Sequence, residues 1–197
     1  MESLKEKYIK MSNIPPKYIK EYTDILVPQE NQLSGYETLK WFSDNLVNNI
    51  KEGNNLFIRG SVGSGKTSNA TKLGLKYIYE YACNYSYKNN CPVLYVNVTD
   101  WLLRKKKSIS NDSEDIDLLE SNMRSTKLLI LDDIGYSPSS NFDLTQLYSI
   151  IDYRTSYLKS TIFIGKFFGD DSVDKLIDSC GPSIARRILQ NSFEVSL

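Results

Sequence analysis

The run Gly60-Ser61-Val62-Gly63-Ser64-Gly65-Lys66-Thr67 constrains this chain more than any other stretch. It fits the phosphate-loop pattern, glycine, four residues, then Gly-Lys-Thr, at every required position. Glycines let the backbone approach a ligand closely. The amide N–H groups of such a loop point inward, and the following helix adds its positive N-terminal end. In that frame Lys66 reaches the β- and γ-phosphates of a nucleotide and the Thr67 hydroxyl takes Mg²⁺. The expected cofactors are ATP or ADP with Mg²⁺, bound by Gly60, Ser61, Val62, Gly63, Ser64, Gly65, Lys66, Thr67 and Ser68.

The neighbours of the loop support the pattern. Leu56-Phe57-Ile58-Arg59 before it reads as a short buried strand. Ser68 to Ala82 after it places Ala70, Leu73, Tyr77, Ile78 and Tyr81 on one helical face. The bland alternative, a Gly/Ser-rich turn that happens to precede a helix, does not account for the complete motif in its strand–loop–helix setting.

With 197 residues and 41% hydrophobic side chains, the chain can bury the core of one ordinary domain. Its 24 basic and 24 acidic residues cancel, so any nucleic-acid contact must come from a local patch. The chain has no histidine, and Cys83, Cys91 and Cys180 are widely spaced, which argues against zinc and for reduced thiols. The start Met-Glu-Ser-Leu-Lys-Glu-Lys lacks an apolar signal core, and no run approaches the ~18 apolar residues of a membrane span. The expectation is a cytoplasmic protein without membrane contact. Without histidine, hydrolysis rests on carboxylates, Lys, Arg and metal.

Residues 1–35 are polar and mixed, with a helix break at Pro15-Pro16, and read as an extension bordering the nucleotide site. Residues 36–197 read as the catalytic domain. Leu39, Phe42, Leu46 and Ile50 predict one helix over 36–52, with Gly53 as its stop. Val93 to Val98 predicts a strand, and Thr99 or Asp100 can cap a short helix through Trp101, Leu102 and Leu103. Helices are predicted over 114–125, 141–158, 170–179 and 183–190, and strands at 128–131, 161–164 and 193–196, the last as an edge. Apolar strands alternating with helices predict a parallel sheet covered on both faces. The expected fold is a three-layer α/β P-loop NTPase sandwich, AAA+ or RecA-like, with a minimal lid or none. Ligands of such sheets sit at the carboxyl ends of the strands, where the phosphate loop, Asp132-Asp133 and Lys166 all fall.

An apolar strand ending in Asp132-Asp133 is the second half of a nucleotide site. Asp132 would hold Mg²⁺, directly or through water. Asp133 would orient and deprotonate the attacking water. Many ATPases carry glutamate at that second position, and aspartate is one methylene shorter. Lys166 can sense the γ-phosphate as a point charge, or it is a surface lysine after a strand. Arg186 and Arg187 can serve a neighbour's ATP as an arginine finger, or form a basic helical face. Arg104, Lys105, Lys106 and Lys107 follow Trp101, a cationic cluster beside an aromatic that suits single-stranded DNA; the alternative is a solvated charged turn.

Several segments together resemble one family. They are Ile14-Pro15-Pro16-Lys17-Tyr18, Gly60 to Thr67, Leu129-Ile130-Leu131-Asp132-Asp133-Ile134-Gly135, Ile151-Asp152-Tyr153-Arg154, and Lys159-Ser160-Thr161 leading into a strand. The chain resembles, over roughly residues 12–190, the AAA+ domain of DnaC/DnaI-type replicative helicase loaders and the related IstB transposition ATPase. The resemblance implies an ATP-switched protein of DNA replication that self-associates through its ATP interface and engages single-stranded DNA and a hexameric replicative helicase. It implies that Lys66, Thr67 and Asp132 bind nucleotide and Mg²⁺ and that Asp133 is catalytic. Lys166 takes the first sensor position, and Arg187, beside Arg186, the arginine-finger position. Ile14 and Tyr18 would border the adenine. The family usually has asparagine where this chain has Lys166, and an arginine shortly after the glycine that here begins Gly181-Pro182-Ser183. Loaders usually carry an N-terminal helicase-binding domain, and about a dozen residues precede Ile14 here. Two rival readings are a transposition regulator on duplex DNA and an ATP-ordered adaptor that binds the helicase without hydrolysis. A small-molecule kinase is a weaker one, because Arg186-Arg187 comes too late for a lid.

Overall fold

Asn55–Arg59 (β1), Val93–Asn97 (β2), Leu128–Ile134 (β3), Thr161–Gly165 (β4) and Ser192–Ser196 (β5) form one parallel sheet in the order β2-β3-β4-β1-β5. The structure is a computed structural model that describes residues 3–22, 33–81, 91–108, 114–135, 140–167, 169 and 171–197. Alternation along the strands splits the core in two. Leu56, Ile58, Leu128, Ile130, Ile162 and Ile164 belong to one buried cluster, and Phe57, Leu129, Leu131 and Phe163 to the other. The first face is covered by Leu4–Met11 (α1), Pro16–Lys20 (α2), Leu33–Asp44 (α3), Leu46–Glu52 (α4) and Lys66–Lys76 (α5). The second is covered by Val98–Ser108 (α6), Glu114–Ser125 (α7), Asn141–Ser156 (α8), Ser172–Cys180 (α9) and Pro182–Leu189 (α10). This is the expected three-layer sandwich, and the described residues contain no large lid. None of the described helices is long and apolar enough to cross a membrane.

The packing of α5 onto the sheet is close. A Cβ on Gly74 would stand 3.0 Å from both Ile130 and Val93, tighter than an ordinary contact. With hydrogen there, the helix that follows the phosphate loop lies close on β2 and β3; a side chain would require the Ile130 and Val93 methyls to give way by a few tenths of an ångström.

Several element boundaries differ from the sequence reading. The helix predicted over 36–52 is interrupted at Asn45, whose Nδ2 and backbone amide share the Trp41 carbonyl, at 2.9 and 3.1 Å. The helix after the phosphate loop begins at Lys66 and passes into a π-helical turn at Tyr77–Tyr81; residues 82–90, which include its predicted end, lie outside the described residues. The helix through Trp101 starts at Val98 and is capped by Asn97, whose Oδ1 accepts from the Asp100 amide at 3.0 Å, not by Thr99 or Asp100. That helix also runs through the whole basic run. Residues before 36 carry α1 and α2, and Tyr8 and Ile14, 1% and 4% exposed, join the first core cluster.

Candidate functional site

The strand order places the site. β4 lies between β1 and β3, so the ends of all three strands open onto one cleft. β1 stops at Arg59 and the loop follows, with Gly63 at φ +83 and Gly65 at φ +86, conformations costly for any residue with a Cβ. Lys66 opens α5 and folds back under the loop. Its Nζ donates to the Gly60 carbonyl at 2.9 Å, to the Ser61 carbonyl, and to Ser64 Oγ at 3.3 Å. Burial pushes the Lys66 pKa down, and the nearby Asp132 charge works against that.

β3 supplies the carboxylates through a bulge. Its register with β4 shifts between Leu131 and Ile134, and Asp133 takes φ +63 while its amide donates to Asp132 Oδ1 at 2.8 Å. A bulge re-aims side chains that strict alternation would send to opposite faces, and here both carboxylates reach the cleft. Asp132 Oδ2 accepts from Thr67 Oγ1 at 2.9 Å and from the Tyr95 hydroxyl at 2.7 Å. Burial raises the Asp132 pKa and the two hydroxyl bonds oppose it; burial is also the main cause that raises the Tyr95 pKa. Asp133 Oδ2 accepts from Asn97 Nδ2 at 2.8 Å, and Asp133 Oδ1 lies 3.0 Å from Lys166 Nζ.

The cleft has a volume of about 490 Å³. Its floor is the phosphate loop with Asp132, Asp133 and Lys166, and its far wall is Lys17, Tyr18 and Glu21 of α2 and its end. A nucleotide fits this chemistry: a glycine loop with backbone donors, a buried lysine and an aromatic opposite. Thr67 and Asp132 present hard oxygen donors 2.9 Å apart, the kind of ligand Mg²⁺ takes beside phosphate oxygens. Among the described residues no cluster of three or more His, Cys, Asp or Glu forms a separate metal site.

Asp132→Asn separates the cost of this carboxylate from its use. A carboxyl whose pKa is raised on folding costs stability above its ordinary range, about pH 4, and costs nothing when protonated in both states. We expect the nucleotide-free Asp132→Asn protein to melt above wild type at pH 7, because the amide carries no buried charge. The gain should disappear below about pH 4. Thermal melts at the two pH values check it, and Mg²⁺-dependent nucleotide binding should fall in the same variant.

Most of the residues expected at the site converge there; others do not. Ile14 is a core residue, packed away from the cleft, and only Tyr18 of that pair lines it. Val62 lines the cleft with Gly63 and Gly65 although it is 81% exposed. Trp101 is not a stacking platform. It is 1% exposed, and its indole N–H donates to Glu120 at 3.2 Å. Lys105 pairs with Glu120 at 3.1 Å and Lys106 with Asp143 at 2.7 Å, so the run is partly neutralised by its own fold. Arg104 and Lys107 remain exposed on α6. Arg187 is held within the chain by Asp152 and by the Tyr148 hydroxyl at 2.9 Å, whereas Arg186 is exposed. The sequence reading missed Tyr95 and Asn97. The polar end of β2 was the available signal, since Asn97 is the register partner of Asp132.

This strand order, with a phosphate loop after β1 and a carboxylate pair near the end of β3, defines a P-loop NTPase domain. The chain belongs to the family of IstB-like ATP binding proteins, whose model matches residues 5–170. It is similar in fold to the DnaC helicase loader, with a TM-score of 0.73 at 23% identity, covering 93% of this chain and 99% of that one. It is also similar to DnaI, with a TM-score of 0.67 at 21% identity, covering 93% and 94%. The replication initiator DnaA bound to AMPPCP and single-stranded DNA matches with a TM-score of 0.66 at 23% identity, covering 94% of this chain and 51% of that one. No curated protein sequence matches the chain significantly.

Proposed function

We propose that this chain is an ATP-binding and ATP-hydrolysing AAA+ protein of DNA replication, a helicase loader or loader-like accessory that contacts single-stranded DNA and a replicative helicase. The observation that carries the nucleotide reading is the meeting of Thr67 and Asp132 across an intervening strand, beside a complete phosphate loop. Lys66 would hold the β- and γ-phosphates, Tyr18 would border the adenine, and Asp133 would orient and take a proton from the attacking water. Mg²⁺ held by Thr67 and Asp132 would supply charge neutralisation at the phosphate oxygens. Support for the replication role comes from the fold shared with the DnaC helicase loader and with DnaI. DNA contact would rest on Arg104 and Lys107, with Lys105 and Lys106 contributing only when their ion pairs open. Arg186 is the better-exposed candidate for reaching a neighbouring subunit's nucleotide, and Arg187 would have to leave Asp152 to do so.

A second reading, a transposition-type ATPase assembling on duplex DNA, follows from the resemblance to the IstB transposition ATPase; the family itself is one of ATP binding proteins. Steady-state ATP turnover with single-stranded and with long duplex DNA separates the two. The loader reading expects stimulation by single strands, and loss of at least about 100-fold in turnover in Asp133→Asn, the scale of a general-base contribution. Stronger stimulation by duplex moves the reading to the second. Bound nucleotide with no turnover under any DNA condition overturns hydrolysis and leaves an ATP-ordered adaptor.

A further inference from the structure

We propose that the pole of the domain opposite the cleft docks an acidic segment of a partner protein. Tyr157 and Leu158 take an apolar side chain of that segment, and Arg124, Lys127 and Lys159 pair with the carboxylates around it. The inference is independent of what the cleft binds. These residues lie beside the amino ends of β3 and β4, a strand's length, roughly 20 Å, from the phosphate loop. A partner seated there leaves the cleft open.

Two adjacent large side chains face solvent at this pole, Tyr157 at 63% and Leu158 at 60% exposure. Leu158 stands at φ +48, a left-handed conformation past the end of α8 that glycine adopts at lower cost. The turn is firmly built. The Leu158 amide donates to the Thr155 carbonyl at 3.3 Å and the Lys159 amide to the Arg154 carbonyl at 2.9 Å. The Leu158 backbone also packs so closely on Gly53 that a Cβ there would collide with it. An exposed leucine thus occupies a glycine position on a rigid support, where its side chain gives the fold little. Beside it the Tyr157 ring lies against Tyr153, with centres 4.5 Å apart, and the Arg124 guanidinium covers the Tyr153 ring at 5.3 Å. Exposed apolar side chains on a rigid base, inside a polar rim, have the anatomy of a protein contact.

The rim sets the charge of the partner. Lys159 Nζ donates to the Ser125 carbonyl at 3.3 Å, which brings it beside Arg124 and Lys127 at the end of α7. Burial and the charges of Arg154 and Lys127 push the Lys159 pKa down. No carboxylate among the described residues pairs with Arg124, Lys127 or Lys159. Glu52, next to Gly53, accepts from Asn54 at 3.1 Å, and Asp152 pairs with Arg187. Carboxylates complement such a field. A phosphate backbone would also do so, but it offers nothing to Leu158, and that favours a protein.

A phage-displayed library of random peptides, panned on the full wild-type chain, tests the surface. Enriched peptides should carry Asp or Glu beside an apolar residue. As synthetic peptides they should bind Leu158→Gly and Lys159→Glu at least about tenfold more weakly than wild type, the scale of a contact at the centre of an interface. Leu158→Gly should melt no lower than wild type, since glycine suits that backbone. A fall of more than about 3 °C would make Leu158 a residue of the fold and overturn the proposal. Recovery of no peptide, or only of peptides indifferent to both substitutions, overturns it as well. Fluorescent single-stranded and duplex oligonucleotides are titrated alongside. Oligonucleotide binding that weakens in Lys159→Glu and not in Leu158→Gly assigns the pole to nucleic acid and overturns a protein partner.

Discussion

Replacing Arg154 with alanine is expected to lower the melting temperature by more than about 10 °C. Arg154 is 1% exposed, yet no carboxylate among the described residues pairs with it. Its guanidinium donates to Thr161 Oγ1 at 2.9 Å, to the carbonyls of Met123 at 2.7 Å and Thr126 at 3.0 Å, and to those of Lys127 and Ser160. One side chain thus closes the end of α7, the turn into β3 and the start of β4. Burial pulls its pKa down to about 9, which leaves it charged at neutral pH. Truncation strands several buried acceptors at once. At ~1 kcal/mol or more each, the loss approaches or exceeds ~4 kcal/mol of a total that is typically ~5–15 kcal/mol. Thermal melts of Arg154→Ala and Arg154→Lys check this. Lysine keeps the charge but not the planar fork and should recover only part of the loss. A fall of less than about 3 °C in Arg154→Ala would contradict the clasp.

The second large effect is on ligand binding, with the fold left intact. Lys66→Ala should weaken ATP binding at least about 100-fold, the equivalent of two charge-assisted hydrogen bonds to phosphate. Among the described residues Lys66 Nζ donates, in the nucleotide-free protein, to oxygens of its own loop; Ser61 is exposed and Gly60 and Ser64 are buried, so truncation costs about 1 kcal/mol of lost bonding, offset in part by removal of a buried charge. The nucleotide-free melting temperature should therefore stay within about 3 °C of wild type. At an ATP concentration near a hundred times the dissociation constant, linkage stabilises the wild-type protein by ~2.7 kcal/mol, a rise of about 5–10 °C. Lys66→Ala should show none of it. Calorimetric titration and melts with and without Mg-ATP read both quantities. A rise preserved in the variant would mean that ATP binds elsewhere or that Lys66 does not touch it.

These two residues differ in how they could be read. Lys66 belongs to a contiguous pattern whose chemistry is local: glycines, backbone donors and one lysine at fixed spacing. The spacing alone says what the residue does. Arg154 sits in Ile151-Asp152-Tyr153-Arg154, which marks a resemblance without a mechanism. The structure divides that segment into two tasks. Arg154 clasps the base of the sheet, and Asp152 on the same helix holds Arg187. Ser160 and Thr161 lie close to Arg154 in sequence, but its other partners and Arg187 lie tens of residues away from this segment.

Trp101 shows the same limit from the other side. A tryptophan before four cations reads as a stacking site, but periodicity alone cannot say which face of α6 meets the sheet. The second core cluster claims Trp101 together with Leu102, and Glu120 from α7 satisfies its indole N–H.

The sequence by itself determined the alternation of apolar strands and helices, the three-layer class, and the phosphate loop with its carboxylate pair. Each of these follows from short-range rules, a period of two or 3.6 or a fixed motif spacing. Only the tertiary structure decided that β4 would lie between β1 and β3. It also decided that a bulge would turn Asp133 toward Asn97 and Lys166, that Tyr95 would bond to Asp132, and that Arg187 would be held by Asp152. Those contacts join residues tens of positions apart. They exist because strand order and register set which side chains share an edge of the sheet, and the spacing within any one segment does not encode either.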